Sequence, residues 1–373
     1  MTLRRRALRA LLAASLSFGP LLPAARAAAP DIDLSPPAFV PPDAQRTVLS
    51  NGVVVYLVEN HELPIVDVQV WFKTSPMDDV PEHALRLFGP VWRSGGTLTR
   101  KPDALDDELE SLAIKVETGA DYESAGCSMS CLSRDITKAL DLWTDVLLHP
   151  AFDSGRLAIE KGEQIEEIRR RNDTPQKIGR RAFRRVIYGP DHPYAKSPQP
   201  NDVTRVSRAE LQKIHKSIIV PQTAIIAAAG DFDSKLLIEG LEKRFAGWTA
   251  GPPRKLDFDY SIKKPVAGKI FFVQKDSPQT RLSIGQVGIS RLDPDRFAVT
   301  VGDYIFGGGG PSRLFGEIRS RLGLAYMVGS FVFDPTGPGM IGVVCQSKVQ
   351  STVAVTEAIL KEMKKFSSEP VKD

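Results

Sequence analysis

The sequence is short of cysteine and histidine: its 373 residues include three Cys and five His. Cys127 and Cys131 lie four residues apart in a run that alternates like a β-strand, a separation of about 13 Å, whereas a disulfide needs Cα atoms closer than about 7 Å. These two cysteines and Cys345 are therefore predicted to be small, half-buried strand residues. No two histidines lie three to five residues apart, so no helix presents a histidine pair to zinc.

Acidic residues are missing from the first 27 positions, which hold five of the 49 basic residues. Because the rest of the chain carries 45 acidic residues, it is close to neutral, and the net charge of +4 says nothing about acidic partners. A cationic start at residues 4–9, an apolar run at 11–22 and a small-x-small site at 25–27 predict a signal peptide over residues 1–27. The protein is therefore expected to be exported, and periplasmic if its source is Gram-negative.

Long apolar runs are absent as well. A membrane-spanning helix needs about 20 apolar residues, but the run at 11–22 is shorter, and no later run reaches that length. No spanning helix is therefore expected. No cysteine stands directly after the predicted cleavage site, so a lipid anchor is not expected either. The composition, 42% hydrophobic and 25% charged, excludes collagen-like, disulfide-scaffold and disordered proteins.

Strand-like and helical patterns alternate through the rest of the chain. Residues 46–57 and 65–72 are rich in β-formers and predict neighbouring strands, and a helical stretch follows at about 81–93. The pattern restarts with strands predicted at 269–274 and 282–288. This mixture predicts the α+β class.

Residues 250–268 have the Pro and Gly content of a linker, which places one domain at residues 44–249 and another at 269–373. Both halves run strands, helix, Gly-rich turn, helix, strands, as in a degenerate internal repeat. The second half ends soon after a helix predicted at 352–366. It is therefore expected to be incomplete, without a final helix and strand, as in a truncated chain or fragment.

Two adjacent histidine and glutamate pairs each match only part of a zinc motif. His61-Glu62 starts like H-E-x-x-H, but position 65 is not histidine. Glu82-His83 could close an inverted H-x-x-E-H, but Asp79 stands where the first histidine is needed. Glu82 is instead predicted to be a carboxylate in the first turn of a helix, where the helix dipole favours it.

Charged helices offer two further candidates. Glu166 and Glu167 precede Arg170 and Arg171 by four residues each, which predicts surface ion pairs instead of a metal site. The second candidate is a basic stripe at positions 180, 181, 184 and 185. It predicts a solvated face, with an electrostatic role in peptide binding as the alternative. Nucleic acid is not expected as the partner of an exported protein.

Four consecutive glycines at residues 307–310 raise the question of phosphate binding. A P-loop needs Lys followed by Ser or Thr after its glycines, and neither stands in the required place here. Turn formation and close backbone approach are therefore predicted for this run.

Arg321 and Tyr326 are candidates for recognition of a carbonyl group. They stand on either side of a Gly-containing turn that leads into a predicted strand. A guanidinium and a phenol can both donate hydrogen bonds to one carbonyl oxygen, which is oxyanion-type stabilisation. From spacing alone, an exposed arginine and a half-buried strand tyrosine remain the alternative.

As a set, several segments resemble the M16 (pitrilysin/insulinase, mitochondrial processing peptidase-like) metallopeptidase family. These segments, in consistent order along the mature chain, are residues 130–135, 192–194, 229–232, 292–295 and 307–326. The resemblance implies two homologous mixed-sheet α/β domains, the second incomplete here. It also implies that two such subunits, or a fused double one, close around a peptide like a clamshell.

Active members of this family carry H-x-x-E-H on the first helix and a third Glu ligand on a later helix. Counted back from the Gly-Thr turn at 96–97, the motif positions are Leu87, Pro90 and Val91, so both histidines and the catalytic glutamate are replaced. Glu167 falls where the third ligand would be. This subunit is therefore expected to hold neither catalytic zinc nor another cofactor.

Arg321 and Tyr326 match an Arg/Tyr pair of the family, which implies a zinc-free subunit of an exported heterodimeric peptidase. Its partner would carry H-x-x-E-H and zinc, and the pair would bind the scissile carbonyl of a peptide substrate. The alternative is a catalytically inactive homologue with a structural or peptide-binding role. A third interpretation, a self-sufficient metallopeptidase with an unrecognised site, predicts stoichiometric zinc in the single chain.

Overall fold

The computed structural model describes residues 40–74, 80–251, 260–262 and 268–370. The chain divides into a unit Met1–Pro42 and a unit Asp43–Asp373, and the fold below is that of the second unit. The predicted signal peptide at 1–27 and most of the predicted linker at 250–268 lie outside the described residues. No described helix is both long and apolar enough to cross a membrane.

The first lobe is built on a six-stranded sheet. Its strands are β1 (Gln45–Val48), β2 (Val54–Glu59), β3 (Ile65–Lys73), β4 (Lys115–Ala120), β5 (Ser124–Leu132) and β6 (Ala224–Gly230). Its helices are α1 (Glu82–Ser94), α2 (Pro102–Ser111), α3 (Ile136–Leu148), α4 (Ser154–Arg169), α5 (Pro175–Tyr188), α6 (Pro200–Arg205), α7 (Arg208–Ile218) and α8 (Ser234–Phe245). The sheet order is β1-β2-β6-β3-β5-β4. Since β2 and β6 run parallel and the other neighbours antiparallel, the sheet is mixed, and the predicted α+β class is confirmed.

The predicted pairing of the first two β-rich runs is wrong. Residues 46–57 fold as the hairpin of β1 and β2, and β6 lies between β2 and β3. Strand β6 is parallel to β2 and antiparallel to β3, so it completes the hydrogen bonding of both. Runs that are adjacent in sequence usually pair, but an apolar strand from far along the chain can be inserted between them.

The second lobe is built on a three-stranded antiparallel sheet of order β7-β9-β8. Its elements are β7 (Gln279–Val287), α9 (Arg296–Asp303), two π-helical segments (Tyr304–Gly308 and Phe315–Arg321), β8 (Ala325–Phe333), β9 (Met340–Lys348) and α10 (Thr352–Ser368). The order repeats β3-β5-β4 of the first lobe, with helical structure after the first strand and a helix after the last. The cysteines are free and lie in β5 and β9, as predicted, but they are fully buried instead of half-buried.

The strand predicted at residues 269–274 is not formed. These residues have no regular structure, and Ile270 and Phe272 are 98% and 83% exposed. In chain order the run corresponds to β2, which pairs with β6 in the first lobe, and no counterpart of β6 occurs among the described residues of the second lobe. A β-propensity run without a hydrogen-bonding neighbour does not become a strand, because its backbone groups stay with water.

The core of the first lobe centres on aromatic side chains beneath helix α1. Phe88 and Trp92 stack at 5.1 Å between ring centroids, and Phe152 lies 5.7 Å from Phe88. His215 on α7 packs against all three rings, and its Nε2 lies 2.8 Å from the carbonyl oxygen of Leu147, to which it donates. Burial lowers the pKa of His215 to about 4.

This neutral histidine makes the fold acid-sensitive. Because the pKa of His215 is about 4 in the folded state against 6.5 unfolded, the unfolded chain binds the extra proton between these values. The contribution to stability is complete above pH 6.5 and is lost as the pH falls toward 4, up to roughly 3 kcal/mol. We expect His215→Gln, which keeps a donor, to flatten the slope of unfolding free energy against pH in this window.

Urea titrations at several pH values measure this slope. The exposed His61 provides the control, because its hydrogen bond to Asp231 raises its pKa and gives a linkage of opposite sign. An equal flattening in His61→Gln, or none in His215→Gln, would contradict the assignment.

Candidate functional site

Helix α1 carries the positions of the degenerate zinc motif, and its inner face is packed in the core. Leu87 and Val91 are 1% and 0% exposed and belong to the main hydrophobic cluster. Pro90 lies inside the helix, where it lacks an N–H group and removes one helical hydrogen bond. A metal ion with its polar ligands would be costly among these apolar side chains. Leu87 and Val91 therefore contribute packing at this place.

The guanidinium of Arg86 contacts two carboxylates, one on α1 and one on α4. Arg86 on α1 donates to Glu82 Oε1, with Nε 2.9 Å away, and its Nη1 lies 3.9 Å from Oε2 of Glu167. Glu82 stands in the first turn of α1, as predicted. The glutamate at the third-ligand position of the family therefore faces an arginine cation of its own chain.

The ion pairs predicted for helix α4 are half correct. Glu166 and Arg170 pair at 2.7 Å, as expected from their spacing. Arg171 instead donates to the carbonyl oxygen of Pro198, 2.8 Å away. Glu167 instead lies next to Arg86 on the neighbouring helix α1.

The described residues do not fit the zinc centre of the family. Among them, no group of three or more His, Cys, Asp or Glu side chains could hold a metal ion. His83 is half-buried beside Glu82, and burial lowers its pKa, so it is a neutral imidazole at pH 7. A lone imidazole next to a carboxylate that already binds Arg86 is not a zinc site.

A pocket of about 590 Å³ opens beside helix α1. Its lining includes Pro90 and Arg93 of α1 and Glu117 of β4. Strand β4 is at the edge of the sheet, so one side of its backbone is unpaired among the described strands. An unpaired strand edge can accept an extended peptide by main-chain hydrogen bonding.

The basic stripe on α5 is only partly the solvated face that its spacing predicts. Arg184 stacks over the ring of Phe333 at 5.3 Å, and burial lowers its pKa. Arg181 donates to the carbonyl oxygen of Arg171, 3.0 Å away. Arg180 and Arg185 are exposed. Helix α5 therefore uses part of its charge to contact the second lobe.

The glycine run allows a close backbone approach, as expected. A Cβ at Gly307 would lie 2.4 Å from the backbone nitrogen of Ser330 on β8, a distance that no side chain tolerates. The π-helical segment Phe315–Arg321 follows, and Gly323, with φ of +63°, turns the chain into β8. Tyr326, the second residue of β8, is thereby placed at the surface.

The two predicted site residues have different partners. Arg321 forms a two-pronged ion pair with Glu317, with Nε 2.5 Å from Oε2, and this partner raises the pKa of Arg321. Tyr326 is 72% exposed, and the guanidinium above its ring is that of Arg319, 5.7 Å from the ring centroid. The spacing of Glu317 and Arg321, four residues apart, is the sequence signal that predicts their pairing. Sequence reasoning missed Arg319.

Comparisons with known proteins agree with this architecture. The family described as Insulinase (Peptidase family M16) matches residues 93–190, and Peptidase M16 inactive domain matches residues 205–373. An uncharacterized zinc protease of Mycobacterium tuberculosis strain H37Rv is 28% identical over 301 residues, 76% of this chain and 66% of the relative. The alignment thus spans just under two thirds of that relative's length.

Solved structures show the same fold. The peptidase M16 inactive domain from Pseudomonas fluorescens superposes with a TM-score of 0.79 at 25% identity, over 88% of this chain and 80% of that one. The periplasmic protease PqqL from Escherichia coli gives 0.70 at 14% identity, over 88% of this chain and 37% of that one, which is a likeness of fold alone.

Fold and site together define a peptidase-type α/β protein in which apolar residues fill the metal-ligand positions. The chain belongs to the M16 family and lacks its zinc motif. This confirms the resemblance noted in the sequence.

The packing role of the motif position is testable by truncation. Leu87→Ala should lower the free energy of unfolding by about 2–5 kcal/mol, because it opens a cavity in a filled core. The matched control is Leu98→Ala, since Leu98 is 69% exposed and its truncation should change stability little. Chemical denaturation measures both, and equal effects would contradict a packing role for Leu87.

Proposed function

We propose that this chain is the zinc-free subunit of a heterodimeric M16-type peptidase that cleaves peptides. The zinc and the water that it activates belong to a partner subunit with an intact H-x-x-E-H. This chain contributes hydrogen-bond donors that hold the scissile carbonyl of the substrate. The observation that carries the proposal is the exposed Tyr326 beside the guanidinium of Arg319, in a chain whose Leu87 and Val91 fill the motif positions.

The chemistry assigned to this chain is binding and charge stabilisation. The phenol of Tyr326 donates one hydrogen bond to the carbonyl oxygen, and a guanidinium donates a second. Both interactions strengthen as negative charge develops on that oxygen in the tetrahedral transition state. A donor that is already in place costs no reorganisation at that moment.

Two arginines are available as the second donor, and geometry favours Arg319. Arg321 would first have to leave its two-pronged pair with Glu317. Arg319 already lies against the rings of Phe315 and Tyr326, at 4.9 and 5.7 Å. Stacking on a ring leaves the edge of a guanidinium free to donate.

Substitutions in the reconstituted complex test these roles. Tyr326→Phe removes only the hydroxyl, and we expect turnover to fall by about 10²–10³ with little change in stability. Arg319→Ala should give a loss of similar order and Arg321→Ala a smaller one; the reverse order would assign the guanidinium to Arg321. Tyr304→Phe, at another exposed tyrosine of the same lobe, is the control and should leave turnover unchanged.

Unchanged kcat/KM in Tyr326→Phe and in both arginine variants would reject the catalytic contribution. That result would favour the second candidate, a homologue that binds peptides or serves as a structural subunit without chemistry. The pocket beside Pro90 and the open edge of β4 are the features that support peptide binding. Stoichiometric zinc in the purified single chain would instead indicate a self-sufficient metallopeptidase.

Export is part of the proposal. The cationic and apolar start of the sequence supports a signal peptide at residues 1–27, and a periplasmic location follows if the source is Gram-negative. Edman sequencing of the secreted protein would give a mature start just after position 27. The division into domains at residues 44–249 and 269–373 is likewise proposed, and the repeated sheet order supports it.

A further inference from the structure

The two lobes meet at a cluster of aromatic and aliphatic side chains. From the first lobe come Tyr188 and Tyr194, and from the second Phe333 and Met340. The ring of Tyr194 lies 6.0 Å from that of Phe333, edge to face. The loop joining β8 and β9, residues 334–339, runs along the border of this cluster. Apolar contacts of this kind hold surfaces together without fixing a register, so polar contacts at the border decide the alignment.

Glu123 provides such contacts from the turn between β4 and β5. Its Oε1 accepts hydrogen bonds from the hydroxyl of Tyr194 and from the backbone nitrogen of Thr336, both 2.7 Å away. Its Oε2 lies 3.8 Å from Arg291. The carboxylate is 17% exposed, so water competes weakly for these donors. Charge-assisted hydrogen bonds of this length are among the stronger ones in proteins.

The next two residues of the loop are also held. The backbone nitrogen of Gly337 donates to the Tyr194 hydroxyl at 3.3 Å, and the Tyr188 hydroxyl donates to the carbonyl oxygen of Pro338 at 3.0 Å. A Cβ at Gly337 would lie 2.5 Å from the ring of Tyr260, so the backbone passes directly over that ring. Three consecutive loop residues are therefore fixed to the first lobe.

The turn that carries Glu123 is itself rigid. Asp121 Oδ1 accepts from the backbone nitrogens of Glu123 and Ser124, at 2.7 and 2.8 Å, and so closes the turn. The hydroxyl of Tyr122 accepts from the backbone nitrogen of Glu82 at the start of α1, 3.2 Å away. One short turn therefore contacts both helix α1 and the second lobe.

We propose that Glu123 is a positioning residue: its carboxylate holds the β8–β9 loop against the first lobe and so sets the placement of the second sheet. Strand β8 runs from Ala325 to Phe333 and connects this loop to the end that bears Tyr326. A shift of the loop is therefore transmitted along the strand to Tyr326. The proposal does not depend on the proposed function, because it concerns the hydrogen bonds of the loop and not catalysis.

Hydrogen exchange of the full-length chain tests whether Glu123 holds the β8–β9 loop. Glu123→Ala removes the acceptor, and we expect the amides of Thr336 and Gly337 to exchange at least about tenfold faster. Glu123→Gln keeps an acceptor oxygen and should restore most of the protection. The control is Glu117→Ala on β4, an exposed carboxylate that pairs with Lys115 and should leave both amides unchanged.

Wild-type exchange of both amides in Glu123→Ala, or equal acceleration in Glu123→Gln, would overturn the proposal. If Glu123→Ala does not fold, Tyr194→Phe supplies the second route. It removes the hydroxyl that accepts from Gly337, so the Gly337 amide should exchange faster than in wild type, while Thr336 keeps its bond to Glu123. Unchanged exchange of the Gly337 amide in that variant would also overturn the proposal.

Discussion

Helix α1 buries Leu87, Phe88 and Val91 in the core of the first lobe, and the remaining features of the site depend on this burial. Close packing there leaves no polar surroundings for a divalent cation. With the ligand positions filled by aliphatic side chains, Glu167 pairs with Arg86 on the neighbouring helix. The chain keeps the architecture of its family, and the proposed function assigns the chemistry that needs a metal to a partner subunit.

The surface that we propose for binding the substrate carbonyl lies on the second lobe. The close approach of Gly307 to β8, and the turn at Gly323, place Tyr326 at the surface next to Arg319. The position of this surface depends on where the second sheet lies relative to the first. The contacts of Glu123 with Tyr194 and Thr336 supply that alignment in addition to the apolar cluster between the lobes.

Much of the secondary structure and the loss of the zinc motif could be predicted from the sequence, because strands, helices and motif spacings are local patterns. The insertion of β6 between β2 and β3 could not, since pairing depends on strands far apart in the chain. The same limit applies to Glu123, whose partners lie 71 and 213 residues away. Arg321 was the expected neighbour of Tyr326, but its spacing from Glu317 favours a local ion pair, and Arg319 takes that place.

We propose that this chain supplies half of a peptidase active site. The most direct test mixes the purified chain with a purified H-x-x-E-H subunit of the same source and follows hydrolysis of a fluorogenic peptide. We expect negligible turnover by either protein alone and activity that rises with added chain until the ratio reaches one to one. Full activity of the zinc subunit alone, unchanged by any amount of this chain, would contradict it.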